Sequence, residues 1–408
     1  MEVKPGYKQT ELGMIPEDWN VFQLSHQFRI YAGGDVPEHS VSKSRSERHP
    51  YPIYANALQD HGLYGFTSER RAKADSLTIT ARGHLGHAEY REEDFFPIVR
   101  LLVLEPLDAL DARFTAYAVN ERVKFAFEST GVPQLTAPQV AKYSIAAPPI
   151  PEQRAIATAL RDMDGLLGGL DRLIAKKRDL KQAAMQQLLT SRTRLPGFHG
   201  EWTVKTLGDL FSFSGGYSAS RDQLSSDGHC YLHYGDIHGA TKTTIDVRAD
   251  YQDIPKLDIP LYRVPSRSLL EDGDVVFVDA SEDDEGTSRH VVVVNKDKRP
   301  FIAGLHTIVA KSKTDELAHA YRRYCFQTAA IRQQFLFYAV GTKVSGISKT
   351  NIAKLTIPVP NIPEQTTIAE VLAEMDAELM ALEQRREKTR ALKQAMMQEL
   401  LTGRTRLV

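Results

Sequence analysis

Four places in this 408-residue sequence hold side chains that could do chemistry. His84-Leu85-Gly86-His87, and the set His229, Cys230 and His233, offer the ring nitrogens and thiol that bind zinc. Neither spacing supplies four convergent ligands, so both are read as polar loop residues and no metal site is expected. Ser281-Glu-Asp-Asp-Glu285 could gather carboxylates around a catalytic metal. No Glu-x-Lys strand follows it, so a solvated acidic loop is expected. Val275-Val-Phe-Val-Asp279 has the form of a Walker B strand. Without a GxxxxGK[ST] phosphate loop anywhere, it is read as a buried strand. Ala147-Pro148-Pro149-Ile150 comes nearest to the Asn/Asp-Pro-Pro-aromatic motif of an amino-methyltransferase and fails at both ends. Cys230 and Cys325 are too few for a disulfide framework. The chain is expected to have no catalytic residue and no cofactor of its own.

An internal repeat is the strongest feature of the sequence. Ile150-Pro151-Glu152-Gln153 returns as Ile362-Pro363-Glu364-Gln365, and Leu180-Lys181-Gln182-Ala183 returns as Leu392-Lys393-Gln394-Ala395, at an offset of 212. The same offset joins Leu188-Leu189-Thr190 to Leu400-Leu401-Thr402, and Arg192-Thr193-Arg194-Leu195 to Arg404-Thr405-Arg406-Leu407. No gap is needed. A weaker match at offset 183 pairs Trp19, Leu24, Phe28 and Gly33 with Trp202, Leu207, Phe211 and Gly216. Within each repeat the apolar residues step by four and three. They are Ile156, Leu160, Met163, Leu167 and Leu170, then Ile368, Leu372, Met375, Leu379 and Leu382. This is a heptad-type seam on a long helix. Pro151 and Pro363 suit the first helical turn, Glu152 and Glu364 the positive end of its dipole. Thr190 and Thr402, followed by Ser191 or Gly403, mark the ends. Each helix would be a rod of about 57 Å at about 1.5 Å per residue. One such helix cannot bury its seam alone, so the two are expected to pair antiparallel. The seam frays into Lys177, Lys181 and Arg386.

Between the repeated parts lie two stretches, 20–149 and 202–361, that look unrelated to each other. Both alternate short β-rich runs with turn residues, and helices are expected over Phe114–Phe127 and Leu317–Phe337. The fold class is therefore α+β, with mixed sheets. The expected domains are 1–149, the helix 150–195, 196–361 and the helix 362–408. The net charge is −1. Only residues 151–195 are clearly basic, with 9 Lys and Arg against 5 Asp and Glu, a net of +4. No apolar signal region or membrane-spanning run appears, and a cytoplasmic location is expected.

In these features the whole chain resembles the specificity subunits of type I restriction–modification enzymes. The doubled Ile-Pro-Glu-Gln helix start and the doubled Leu-Lys-Gln-Ala…Leu-Leu-Thr helix exit carry the resemblance. So do Gly13-Met-Ile-Pro-Glu-Asp-Trp19, Ile145-Ala-Ala-Pro-Pro149 and Thr356-Ile-Pro-Val-Pro360. The resemblance implies two target-recognition domains joined by two conserved helices, related by a pseudo-twofold axis. Each domain would read one half of a split, asymmetric site in double-stranded DNA, and the spacer would set the unread gap. It implies two methyltransferase subunits and two motor–nuclease (restriction) subunits as partners. S-adenosylmethionine, ATP and Mg would be used in those partners. The competing expectations are a specificity subunit of a methyltransferase-only or type II-like system, and a coiled-coil adaptor that reads no sequence.

Reading base edges requires side chains that present paired donors and acceptors. In the first variable stretch these are Tyr54, Asn56, Arg82, Gly83, His84 and Gln134. Gly83 would let backbone approach phosphate. In the second they are His233, Tyr234, Lys343, Ser345 and Ser348. The last three fall in or beside the loop Gly341-Thr-Lys-Val-Ser-Gly346, whose loose partner in the first half is Gly131-Val-Pro-Gln134.

Overall fold

In the computed structural model both repeated segments are single helices of 39 residues, Ile150–Leu188 and Ile362–Leu400. The structure describes residues 5–37, 40–107, 110–126, 133–238, 242–281, 288–341 and 345–407. The first helix continues through Gly165, Gly168 and Gly169, each of which costs about 1 kcal/mol against Ala. Its persistence rests on the burial of its apolar face rather than on propensity. Past the two ends, Ser191 and Gly403 adopt left-handed φ of 56° and 68°. This is the usual way to close off the last carbonyls. At 403 a Cβ would meet Pro16 Cγ at 2.5 Å, so glycine is required there.

The chain divides into two compact units, Met1–Arg172 with Glu383–Val408, and Leu173–Leu382. In the first unit, β1 (Asn20–Gln23) pairs antiparallel with β6 (Ser144–Ala147), which leads directly into the first long helix. The main sheet is antiparallel, in the order β2 (Phe28–Ala32), β5 (Leu102–Pro106), β3 (Ser76–Ile79), β4 (Ala88–Arg91). The helix Ala112–Arg122 is capped by the Asp111 carboxylate, which accepts from Phe114 N. Its Phe114 and Val119 bury against Leu77, Ile79, Leu102 and Leu104. The same core takes Ile156 and Leu160 from the first long helix, and Met397 and Leu400 from the second, with Leu401 just past its end. Lys393 reaches Asp164 at 2.6 Å and Arg386 reaches Asp171 at 3.3 Å, so these helical segments run antiparallel.

The second unit repeats the construction. Here β7 (Thr203–Thr206) pairs antiparallel with β13 (Thr356–Val359), which leads into the second long helix. The main sheet has the order β8 (Phe211–Gly215), β12 (Thr307–Ser312), β10 (Val275–Val278), β11 (His290–Val294), β9 (Thr244–Asp246). Its first four strands are antiparallel, and β9 is added parallel to β11. Ile368 and Leu372 share a core with Met185, Leu188 and Leu189. Lys181 pairs with Asp376 at 2.5 Å and Lys177 with Glu378 at 2.7 Å. The three basic residues that interrupt the apolar seam thus all form ion pairs between helical segments.

The strand order β2-β5-β3-β4 and the order β8-β12-β10-β11 are one topology. The two variable stretches, unrelated by sequence, therefore share a four-stranded antiparallel core. The Walker-like run is the buried strand β10, all four residues of which are inaccessible. The single helix expected over Leu317–Phe337 is two, His319–Cys325 and Ala329–Tyr338. Thr328 breaks it because its side chain caps the second helix by accepting from Ile331 N. The helix expected over Phe114–Phe127 spans Ala112–Arg122, and Phe127 lies outside the described residues.

Of the seam residues, Ile156, Leu160, Leu170, Ile368 and Leu372 are buried. Met163, Leu167, Met375, Leu379 and Leu382 are half-buried.

Candidate nucleic-acid interface

In the first unit one end of the main sheet is defined by Ala32, Ile79, Ala88 and Leu102, which lie side by side in register. The loops that leave this end hold most of the candidate residues. Asn56 is half-buried, and both ends of its amide are engaged by backbone. Its Oδ1 accepts from Ala81 N at 2.7 Å and its Nδ2 donates to Val99 O. Arg82 and His84 are exposed, and Gly83 is left-handed at φ 70° with open space where a Cβ would be. Arg82 Nη2 donates to Gln134 Oε1 at 3.1 Å, and Leu135 N donates to Ala81 O at 3.0 Å. Asn56, Arg82 and Gln134 are thereby gathered around Ala81. Tyr54 is not one of this group. Its ring lies under the Arg91 guanidinium at 3.7 Å and edge-on to Phe95 at 5.6 Å. Burial raises its hydroxyl pKa. Gly131 and Val132 lie outside the described residues.

The turn that leads into β5 was not singled out by sequence. Val99 and Arg100 are both left-handed, at φ 53° and 62°. A β-branched residue at positive φ is a true outlier. Gly33 N donates to Leu101 O at 2.8 Å, and a Cβ on Gly33 would meet Pro97 O at 2.6 Å.

In the second unit the equivalent end is marked by Gly215, Val278, His290 and Thr307. His233 is buried, and its Nδ1 accepts from Gly235 N at 3.0 Å, which leaves the proton on Nε2. Burial first, then Arg221, lowers its pKa. Tyr234 lies 4.5 Å from the His233 ring and edge-on to His306 at 5.5 Å. His306 Nδ1 is 3.2 Å from Asp279 Oδ1. The Asp279 carbonyl accepts from Ile347 N at 2.8 Å. Ser345 pairs with Ser281 through the backbone, and Ser348 is exposed and caps the next turn by accepting from Asn351 N. Tyr234 thus stands between His233 and His306, while the backbone that leads into Ser348 is tied to Asp279 through Ile347. Lys343 and the acidic run from Glu282 lie outside the described residues.

His306 is left-handed at φ 58° and stands immediately before β12, as Val99 and Arg100 stand before β5. A Cβ on Gly216 would meet Gly304 O at 1.8 Å. The sequence clue to these turns was the repeated pair Gly33 and Gly216, each of which admits a neighbouring backbone too close for any side chain.

Among the described residues no group of three or more His, Cys, Asp or Glu is placed to hold a metal, and no helix is long and apolar enough to cross a membrane. Burial raises the pKa of both Cys230 and Cys325.

A type I specificity subunit from Methanocaldococcus jannaschii is 22% identical over 432 residues, covering 96% of this chain and 94% of that one. A provisionally named type I specificity subunit from Mycoplasma pneumoniae is 27% identical over 171 residues, 42% of this chain. The match spans only about half, 47%, of that Mycoplasma protein's length. The S subunit structure from M. genitalium shares the fold, with a TM-score of 0.62, 15% identity and 98% coverage of both chains. A chain from a structure of type I complex assembly and conformational transition gives 0.52, with 15% identity, 95% of this chain and 99% of that one. The family model described as the type I restriction modification DNA specificity domain matches residues 16–174 and 199–391. The chain, with this domain present twice, belongs to the type I restriction–modification specificity family.

Proposed function

We propose that this chain is the DNA-sequence-recognition subunit of a type I restriction–modification complex and carries no catalysis itself. Each unit reads one half of a split, asymmetric site in double-stranded DNA. Two methyltransferase subunits and two motor–nuclease subunits complete the complex, and S-adenosylmethionine, ATP and Mg act in those partners. One observation carries the reading. Two units share a sheet topology and a repeated helical frame, yet differ in the loops at the equivalent sheet end. A common frame with divergent loops suits two readers of different sequences, since loops tolerate change while a packed core does not. The chain's net charge is −1, so phosphate affinity must come from local cations or from partner subunits.

The test is base-modification sequencing of DNA from a host that expresses this chain with a cognate methyltransferase subunit. Methyladenine in two short halves around a fixed unread gap is the expected result. A continuous or palindromic motif would point to another architecture. No modification by a folded, co-purifying complex would favour an adaptor role.

A further inference from the structure

Both units spend backbone strain at the same place. Val99 and Arg100 before β5, and His306 before β12, are non-glycine residues in the left-handed region. Such strain persists only where the surroundings over-determine it, and it clusters at functional sites. The surroundings here do so. Val99 N donates to Gly34 O at 2.8 Å and the Asn56 amide grips Val99 O. In the second unit, Asp279 N donates to His306 O at 3.1 Å and Leu305 N to the Tyr231 hydroxyl at 3.0 Å. Gly33 and Gly216, repeat-related residues, each receive the turn at a distance no Cβ would allow.

The side chain at the tip differs between the units. Arg100 is exposed, with no hydrogen bond or ion pair to another described residue. His306 has a half-exposed ring set edge-on to Tyr234. Asn56 ties the Arg100 turn to Ala81, next to Arg82; Asp279 ties the His306 turn to Ile347, next to Ser348. One strained device, built twice with a different side chain at its tip, is what two readers of different half-sites require.

We propose that Arg100 and His306 are specificity-determining residues, each contacting a base edge in the half-site read by its own unit. This rests on the DNA-reading function proposed above. Arg100 can give two parallel donors, which suits the O6 and N7 acceptors of guanine in the major groove. His306 can give one donor or acceptor.

Arg100→Gly and His306→Gly test this in the full chain with its methyltransferase partner. Glycine adopts the left-handed backbone without strain, so each turn survives while its side chain is lost. Arg100→Asn, which also tolerates that backbone, gives a second probe of the same position. Base-modification sequencing and a thermal melt are read together. The expected result is an unchanged or higher Tm for the glycine variants. Arg100→Gly relaxes discrimination by roughly tenfold at one base pair of one half-site. His306→Gly relaxes one base pair of the other. An unchanged motif with Tm retained overturns the proposal, as does equal decay of both half-sites in either variant. A wild-type complex without a split motif would remove the DNA-reading function itself. A wild-type split motif that these variants do not alter removes only this inference.

Discussion

Two arginines in corresponding repeat positions hold two buried glutamates, and they do so crosswise. Arg194, from the exit of the first repeat, forks onto Glu364 at the start of the second, at 2.5 and 2.6 Å. Arg406, from the exit of the second, forks onto Glu152 at the start of the first, both contacts at 2.7 Å. Glu364 has a fully buried side chain, and Trp202 Nε1 adds a bond at 3.1 Å. Glu152 is 8% exposed, and Arg406 is shared with Asp18, itself half-exposed. Removing one partner of a buried pair strands a charge and costs about 3–5 kcal/mol. Arg194→Ala is therefore expected to destabilise the second unit by about 3 kcal/mol. Arg194→Lys should restore less than half, since a point charge cannot fork. Arg406→Ala should cost less, because Glu152 keeps some access to water. Chemical denaturation of the three variants checks this, and equal costs for the two alanines would contradict the burial argument.

His290 supplies a pH dependence at the same scale. Its ring packs on Phe277 and Phe326, at 5.6 and 5.2 Å. Burial pushes its pKa down from 6.5 to about 4. The folded state therefore holds fewer protons than the unfolded state between pH 6.5 and 4, and unfolding is favoured as pH falls through that window. The contribution is fully present above pH 6.5. Its loss by pH 4 amounts to about 3 kcal/mol. His290→Phe should flatten the stability profile over this range in urea titrations. An unaltered slope in the variant would place the protonation elsewhere.

At the scale of elements, the long helices were open to reading because their signals are local and repeated. Proline, glutamate, a four-three apolar step and a Thr-Ser or Thr-Gly end lie in sequence order. The shared sheet was not. Its strands are four to six residues long, separated by loops of unequal length, and burial asks only for hydrophobic side chains of suitable volume. Phe277 in β10 and Thr78 in β3 can thus occupy related strands without any identity. Exposed polar positions in loops were legible, as with Arg82 and Ser348. Legibility failed where tertiary bonds override local preference. Val99 has among the weakest tendencies to turn left-handed, so nothing near it in sequence announces the turn, and Asn56 proves to be a clamp on backbone rather than a free amide. Gly33 and Gly216 can be tested directly. Alanine at 216 would place a Cβ 1.8 Å from a backbone oxygen, against 2.6 Å at 33. Forced overpacking costs about 1–3 kcal/mol. Both substitutions should lower Tm, Gly216→Ala the more, and a neutral Gly216→Ala would mean that the His306 turn yields easily.

For the whole molecule, the decisive fact is that unit boundaries fall inside the long helices, at 172/173 and 382/383. The second unit is one continuous segment, Leu173–Leu382. It contains its own helical ion pairs, its own Arg194–Glu364 fork, and a core that runs from Met185 to Leu372. The first unit is discontinuous: residues 1–172 need Met397, Leu400, Leu401 and Arg406 from the far end of the chain. Burial of each apolar side chain contributes about 1.5–3 kcal/mol, so three contribute about 6 kcal/mol. A domain's entire stability is about 5–15 kcal/mol. The fragment 173–382 is therefore expected to fold alone with a cooperative thermal transition. The fragment 1–172 should not, because its core would lack Met397, Leu400 and Leu401 and Glu152 would lose Arg406. Adding a peptide of residues 383–408 should restore its transition, with a stability that rises with the logarithm of peptide concentration above Kd, as for any ligand of the folded state. A cooperative transition in 1–172 without the peptide would show that the repeated helix exit is dispensable to the first unit. A peptide carrying Arg406→Ala that rescues as well as the native one would show that the apolar contacts suffice without the fork.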